Sequence, residues 1–186
     1  MKQRRSLRKM VLAALCLALT YVLPFLTGQI PQVGAMLAPM HLPVLLCGLV
    51  CGGFYGGFCG VAGPILSSLL SGMPPATALV SMLPELLTYG TVSGILMNRL
   101  RSGKLGTDLY VSLIAAMVAG RIVGGIARAL FVTLVATGDS FGISIWLSSY
   151  FVGTLPGIVA QLILLPILVT TLMKAGIIPR RYAKVA

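Results

Sequence analysis

Two arginines lie inside a run of apolar residues. The stretch from Thr107 to Ala136 reads as one long hydrophobic helix, with Arg121 and Arg128 seven residues apart within it. Two helical turns separate them, so they share a face about 10 Å apart along the axis. A guanidinium in hydrocarbon costs about 2.5 kcal/mol or more, and it persists only with a partner or a wet cavity. Glu85 is the acidic residue set deep within another apolar run, and Tyr89 stands one turn further along the same face. Counted from the helix ends, Glu85 and Arg128 lie at similar depth in the outer half. Arg121 lies deeper, near the level of Tyr89, Pro156 and Gln161. Glu85 is therefore expected to partner Arg128, which leaves Arg121 without an acid. Three buried charges netting +1 suit a bound carboxylate or phosphate, which arginine's planar fork holds bidentately. The competing reading is that the arginines brace helix packing by bonding backbone carbonyls.

Other candidates are fewer. His41 is the single histidine and ends a long outer loop, placed either to contact a ligand or to sit satisfied at the interface. Tyr150 and Trp146 read as interfacial aromatics near the start of the last helix, and Gln161 lies deep within it. Enzyme chemistry has little to work with, since Asp and Glu together number three. Ser67, Ser68 and Ser71 have no histidine near them in sequence, and paired carboxylates are absent. Cys16, Cys47, Cys51 and Cys59 all fall within apolar runs without zinc-like spacing, and read as small buried side chains. The glycines between Gly48 and Gly63 are followed by no Gly-Lys-Ser/Thr, so they form no nucleotide-binding loop.

The elements that must position these residues follow from composition and charge. Apolar residues make up 58% of the chain and charged residues 9%, against about 25% charged in an ordinary soluble domain. The net charge of +11 is not a nucleic-acid footprint, because no aromatic residues interleave with the basic ones. Apart from Arg121 and Arg128, every Lys and Arg falls in one of three clusters. These are Lys2 to Lys9, Arg99 to Lys104, and Lys174 to Lys184. Such flanking clusters set topology and mark the cytoplasmic side.

The first helix is expected from about Leu7 or Lys9 to Leu26, followed by a partly apolar loop over Thr27 to Met40 that suits a flap. Topological parity divides Leu42 to Leu70 into two short spans, about Leu42 to Cys51 and Gly57 to Ser71. One span alone would carry the Arg99 cluster outside. Gly72 to Pro75 reads as an outer turn, the fourth helix as about Thr77 or Val80 to Met97, and the fifth as Asp108 to Ala136. After an outer turn at Gly138 to Gly142, the sixth runs from about Ile143 to Met173, kinked at Leu155-Pro156-Gly157. The expected architecture is one all-α integral membrane domain over residues 1–186. It has six transmembrane helices, both termini cytoplasmic, a long outer loop 1 and a short helix 2–helix 3 hairpin.

With that order in place, the chain resembles the substrate-binding S components of energy-coupling factor (ECF) vitamin transporters. Ala14-x-x-x-Ala18 on the first helix is similar to the family's small-residue motif for docking the membrane coupling subunit. Leu42-Pro43-Val44-Leu45-Leu46-Cys47-Gly48 leading to Gly56-Gly57-Phe58-Cys59-Gly60, and Leu155-Pro156-Gly157, resemble its other signatures. The resemblance implies a binder of a vitamin or related micronutrient, with its site in the outer half between loop 1 and helices 4 to 6. It implies as partners a coupling membrane subunit and two ABC-type ATPases in a prokaryotic plasma membrane. Those ATPases, and not this chain, would bind ATP and Mg. Two arginines favour a carboxylate-bearing vitamin, with pantothenate the first candidate, and the substrate-binding set is Arg121, Arg128, Glu85, Tyr89, His41, Tyr150 and Gln161. A structural or regulatory membrane subunit without a small-molecule site, and a stand-alone secondary transporter, are the alternatives.

Overall fold

The computed structural model describes residues 2–26, 34, 36–135 and 143–178, and among the described residues the regular structure is all helix, joined by short turns. The helices are α1 (Lys2–Leu26), α2 (His41–Cys51), α3 (Gly53–Ser71), α4 (Ala76–Arg99), α5 (Leu105–Val135), α6 (Ile143–Leu147) and α7 (Leu155–Lys174). A widened π turn over Ser148–Val152 continues directly from α6. Five of the described helices are long and apolar enough to cross a membrane; α2, with 11 residues, is not.

The shortest of the inner helices is the one at the centre. Nine of the 11 residues of α2 are buried, and it touches α1, α3, α4, α5 and α7. A helix that is apolar all round has no solvent face to present, so the others close around it. Val44, Leu45 and Cys47 pack there with Leu86 of α4, Leu113 and Ala116 of α5, and Leu165 of α7. Close approach depends on glycine. A Cβ at Gly56 would stand 2.5 Å from the Gly90 carbonyl oxygen and 2.6 Å from the Gly48 Cα, so α2, α3 and α4 meet backbone to backbone. Outside, Ile114, Val118, Ile122, Ile126, Leu130 and Leu134 are all exposed along one side of α5. Apolar side chains repeating every turn on an outer surface are at rest in hydrocarbon and not in water.

Several boundaries differ from those expected. The helix 2–helix 3 turn is a single residue, Gly52, with φ 102°, a left-handed value that glycine adopts without a Cβ clash. The third helix therefore starts at Gly53 and not Gly57. Its 19 residues suffice to cross, which corrects the expectation of two undersized spans. The first helix runs through the basic segment from Lys2 instead of leaving it as a tail. The last helix is not one kinked rod. It breaks at Gly153 and Thr154, and Pro156 falls in the first turn of α7, where its missing N–H and fixed φ cost nothing. The proline thus marks a start. Most of loop 1, the outer turn at Gly138 to Gly142, and Arg180, Arg181 and Lys184 lie outside the described residues.

Two polar devices tie down the turns. Gly72, with φ 71°, closes α3 by donating its N–H to the Ser68 carbonyl at 2.9 Å. Ser67 and Ser68 then donate to the carbonyls of Met73 (2.7 Å) and Pro74 (2.9 Å), holding the α3–α4 turn against the bundle. At the opposite end, Asp108 is buried, and its Oδ1 accepts the Ser102 hydroxyl (2.7 Å) and N–H (3.1 Å), which orders the α4–α5 loop.

Candidate solute-binding site

A cavity of about 450 Å³ opens between loop 1, the α3–α4 turn, α4, α5 and the π turn. That is within the size range of sites for drug- or cofactor-sized molecules, about 300–1,000 Å³. Its wall is largely methionine, proline and alanine, including Met40, Met73, Pro74, Ala78 and Met82. The polar side chains on it are His41, Ser81, Glu85, Arg121, Ser149, Tyr150 and Thr154.

Arg121 is held from several directions. It is 3% exposed, and its Nε–H donates to the Tyr89 hydroxyl at 3.1 Å. Its Nη1 donates to the Tyr150 carbonyl and to Thr154 Oγ1, the latter at 2.8 Å. The helix break at Gly153 and Thr154 brings that carbonyl and the Thr154 hydroxyl to the guanidinium. Tyr150 lies in the π turn just before the break, and its carbonyl accepts both from Arg121 and from the Thr154 hydroxyl at 2.7 Å. The guanidinium also lies over the Phe151 ring, 5.3 Å from its centre. Trp146 donates its indole N–H to the Arg121 backbone carbonyl at 3.2 Å and sets the nitrogen edge of its ring against Gly125, which locks α6 to α5.

Glu85 sits on the facing helix. Its Oε1 accepts the Tyr89 hydroxyl at 2.9 Å, and His41 Nε2 stands 3.6 Å away. Tyr89 is fully buried, so it is not itself on the cavity wall. It links the two charges, accepting from the arginine and donating to the carboxylate. His41 packs edge-on against the Tyr89 ring with centroids 5.2 Å apart. Gly124 faces Glu85, where a Cβ would come within 2.9 Å of Oε2. Glycine there leaves room for the carboxylate.

The expected site residues are thus divided. Glu85, Arg121, His41 and Tyr150 line the cavity, and Tyr89 supports them from behind. Arg128 does not line it. Its Nη1 donates to the Thr77 carbonyl at 3.2 Å and braces α5 against the start of α4. The expected Glu85–Arg128 partnership is replaced, because among the described residues it is His41 that stands beside Glu85, its Nε2 3.6 Å from Oε1, while Arg128 bonds a backbone carbonyl. Gln161 is also off the wall. Its Nε2 reaches the Ala38 carbonyl of loop 1 at 3.5 Å, while a Cβ on Gly157, one turn earlier, would meet the Met36 and Leu37 carbonyls at 2.7 Å. Gly157 and Gln161 form the seat of loop 1. Ser81 and Thr154 were not singled out from sequence. Threonine just before Leu-Pro marks a helix start, but its contact with Arg121 depends on the break.

Helices with lipid-suited outer faces around an apolar cavity with a charged end define a multi-pass membrane protein built to enclose a small solute. A family profile described as "ECF transporter, substrate-specific component" matches residues 8–178. The chain belongs to this family, whose members are transport subunits and not enzymes. No curated protein and no solved structure matches the chain.

Proposed function

We propose that the chain is the high-affinity binding subunit for uptake of a carboxylate-bearing vitamin, with pantothenate the first candidate, driven by a separate ATP-hydrolysing module. The observation that carries this reading is the cavity of about 450 Å³ with Arg121 on its wall. The apolar wall suits a vitamin's carbon skeleton and the guanidinium its negative group. Burial makes that contact strong, since no bulk water competes for the charge.

In this reading the three basic clusters and both termini face the cytoplasm of a prokaryotic cell. Alpha2 makes the sixth crossing of the plasma membrane, its short length shielded from lipid by the helices around it. The cavity then opens outward under loop 1. Ala14 and Ala18 dock the coupling subunit, which is supported by both lying exposed on α1. Two ABC-type ATPases complete the assembly and bind the ATP and Mg.

The test is to purify the protein and identify co-purifying small molecules by mass spectrometry. A carboxylate-bearing vitamin should be found, and Arg121→Ala should lose it. A folded preparation that retains nothing and shows no calorimetric binding of any vitamin would overturn the proposal.

A further inference from the structure

The two buried charges on the cavity wall each have one polar atom to spare. Glu85 is 8% exposed and Arg121 3%. On Glu85, Oε1 is occupied by Tyr89 and faces His41; among the described residues no donor reaches Oε2. On Arg121, Nε and Nη1 are taken by Tyr89, Tyr150 and Thr154; among the described residues Nη2 makes no hydrogen bond. Neither Oε2 nor Nη2 is wholly sealed from the cavity they border. Both residues line the same cavity. One phenol oxygen spaces them, 3.1 Å from the guanidinium and 2.9 Å from the carboxylate.

The wall therefore offers an anionic acceptor beside a cationic donor, and the charges of this pair cancel. Arg128, which would have made the region cationic, is spent on the Thr77 carbonyl. A ligand that presented only a negative group would satisfy Nη2 but bring its charge up to Glu85, with nothing to give to Oε2. Both repulsion and an unpaired buried oxygen oppose that.

We infer that Glu85 is a specificity residue, and that the solute carries a hydrogen-bond donor next to its acceptor: a hydroxyl or N–H for Glu85 Oε2 beside a carboxylate or carbonyl oxygen for Arg121 Nη2. Hydroxy-amides, ureides and amino acids have this arrangement; a carboxylate on a ring or chain without donors does not. The remainder of the molecule lies against Met40, Met73 and Met82. This rests on reading the cavity as the solute site, and it narrows the substrate class within that reading.

The experiment is calorimetric titration of the purified full chain with four carboxylates. Pantothenate has an amide N–H two carbons from its carboxylate, and folate an amide N–H beside its α-carboxylate; nicotinate and lipoate have no such donor. The co-purifying molecule is identified in parallel. The donor-bearing class should bind, with the donor-free pair weaker by about tenfold or more, the value of a charge-assisted hydrogen bond. Glu85→Gln keeps the shape and the acceptor for Tyr89 but can turn an N–H towards the ligand, so it should narrow or reverse that ratio. Nicotinate or lipoate bound as tightly as the donor-bearing pair, or a co-purified molecule lacking such a donor, overturns the inference and leaves the proposed transport role standing. A wild-type protein with no solute at all overturns both. The wild-type comparison decides the matter even if the variant fails to fold.

Discussion

Removing one oxygen atom should separate the charges on the cavity wall. Tyr89→Phe keeps the ring, its packing against His41 and the surrounding core, but deletes the hydroxyl that accepts from Arg121 and donates to Glu85. Hydrogen bonds to charged groups contribute about 1.5–3 kcal/mol each, so losing both sets an upper bound of roughly 3–6 kcal/mol. Part is recovered, because Arg121 keeps Tyr150 and Thr154 while Glu85 keeps His41. A net destabilisation of about 2–4 kcal/mol is expected. For a chain of this size that lowers the melting temperature by on the order of 10 °C. Solute affinity should fall about 10- to 100-fold, although Tyr89 does not touch the cavity, because both groups lose their fixed positions. The assay is calorimetry on detergent-purified protein, paired with thermal melting. A double-mutant cycle with Glu85→Gln should give a total smaller than the sum of the single effects, since both substitutions disrupt one network. If Tyr89→Phe binds and melts like the wild type, the phenol does not hold the pair. Arg121 and Glu85 would then be positioned by their other contacts alone.

Other substitutions separate the remaining roles. Arg128→Ala removes a bond to the Thr77 carbonyl at a partly exposed position, so affinity should change less than about threefold with a cost near 1 kcal/mol; a loss as large as that of Arg121→Ala would return Arg128 to the site. Gly157→Val places a side chain against the Met36 and Leu37 carbonyls. It should lift loop 1, raising the rate of proteolysis there and weakening solute binding, and unchanged cleavage with unchanged affinity would refute the seat. Ala14→Trp on the exposed face of α1 should abolish assembly with the coupling subunit in pull-down experiments while binding is spared; equal loss of both would remove the proposed division of labour.

The site was legible only as far as local pattern reaches. Glu85 and Tyr89 share a helix face one turn apart, and that spacing alone predicts the contact they make. Arg121 stood out because a guanidinium in an apolar run requires an explanation. Its pairing did not follow from depth counting. Matching Glu85 to Arg128 by distance from the helix ends fixes height but not rotation, and in the folded chain rotation turns Glu85 towards His41 while Arg128 meets a carbonyl of α4. Nor did the sequence disclose the break before α7. By propensity Ser148–Val152 reads as helix, and nothing in the sequence separates Gly153 and Thr154 from a continuous span.

Composition and periodicity by themselves determined that this is a multi-pass helical membrane protein, with a short inner helix after a long loop and the buried arginines as its anomaly. Those properties depend on nearest neighbours along the chain and on the cost of placing charge in hydrocarbon, both of which sequence records. Only the tertiary structure decided that Arg121 is tied through Tyr89 to Glu85, that Tyr150 gives up a carbonyl to it, and that Arg128 is excluded from the cavity. Each of those depends on the rotation of one helix against another, which is set by the contacts of Gly120 with Tyr89 and Gly124 with Glu85 between α5 and α4 and by where the last helix breaks, and no spacing within a single helix carries that information.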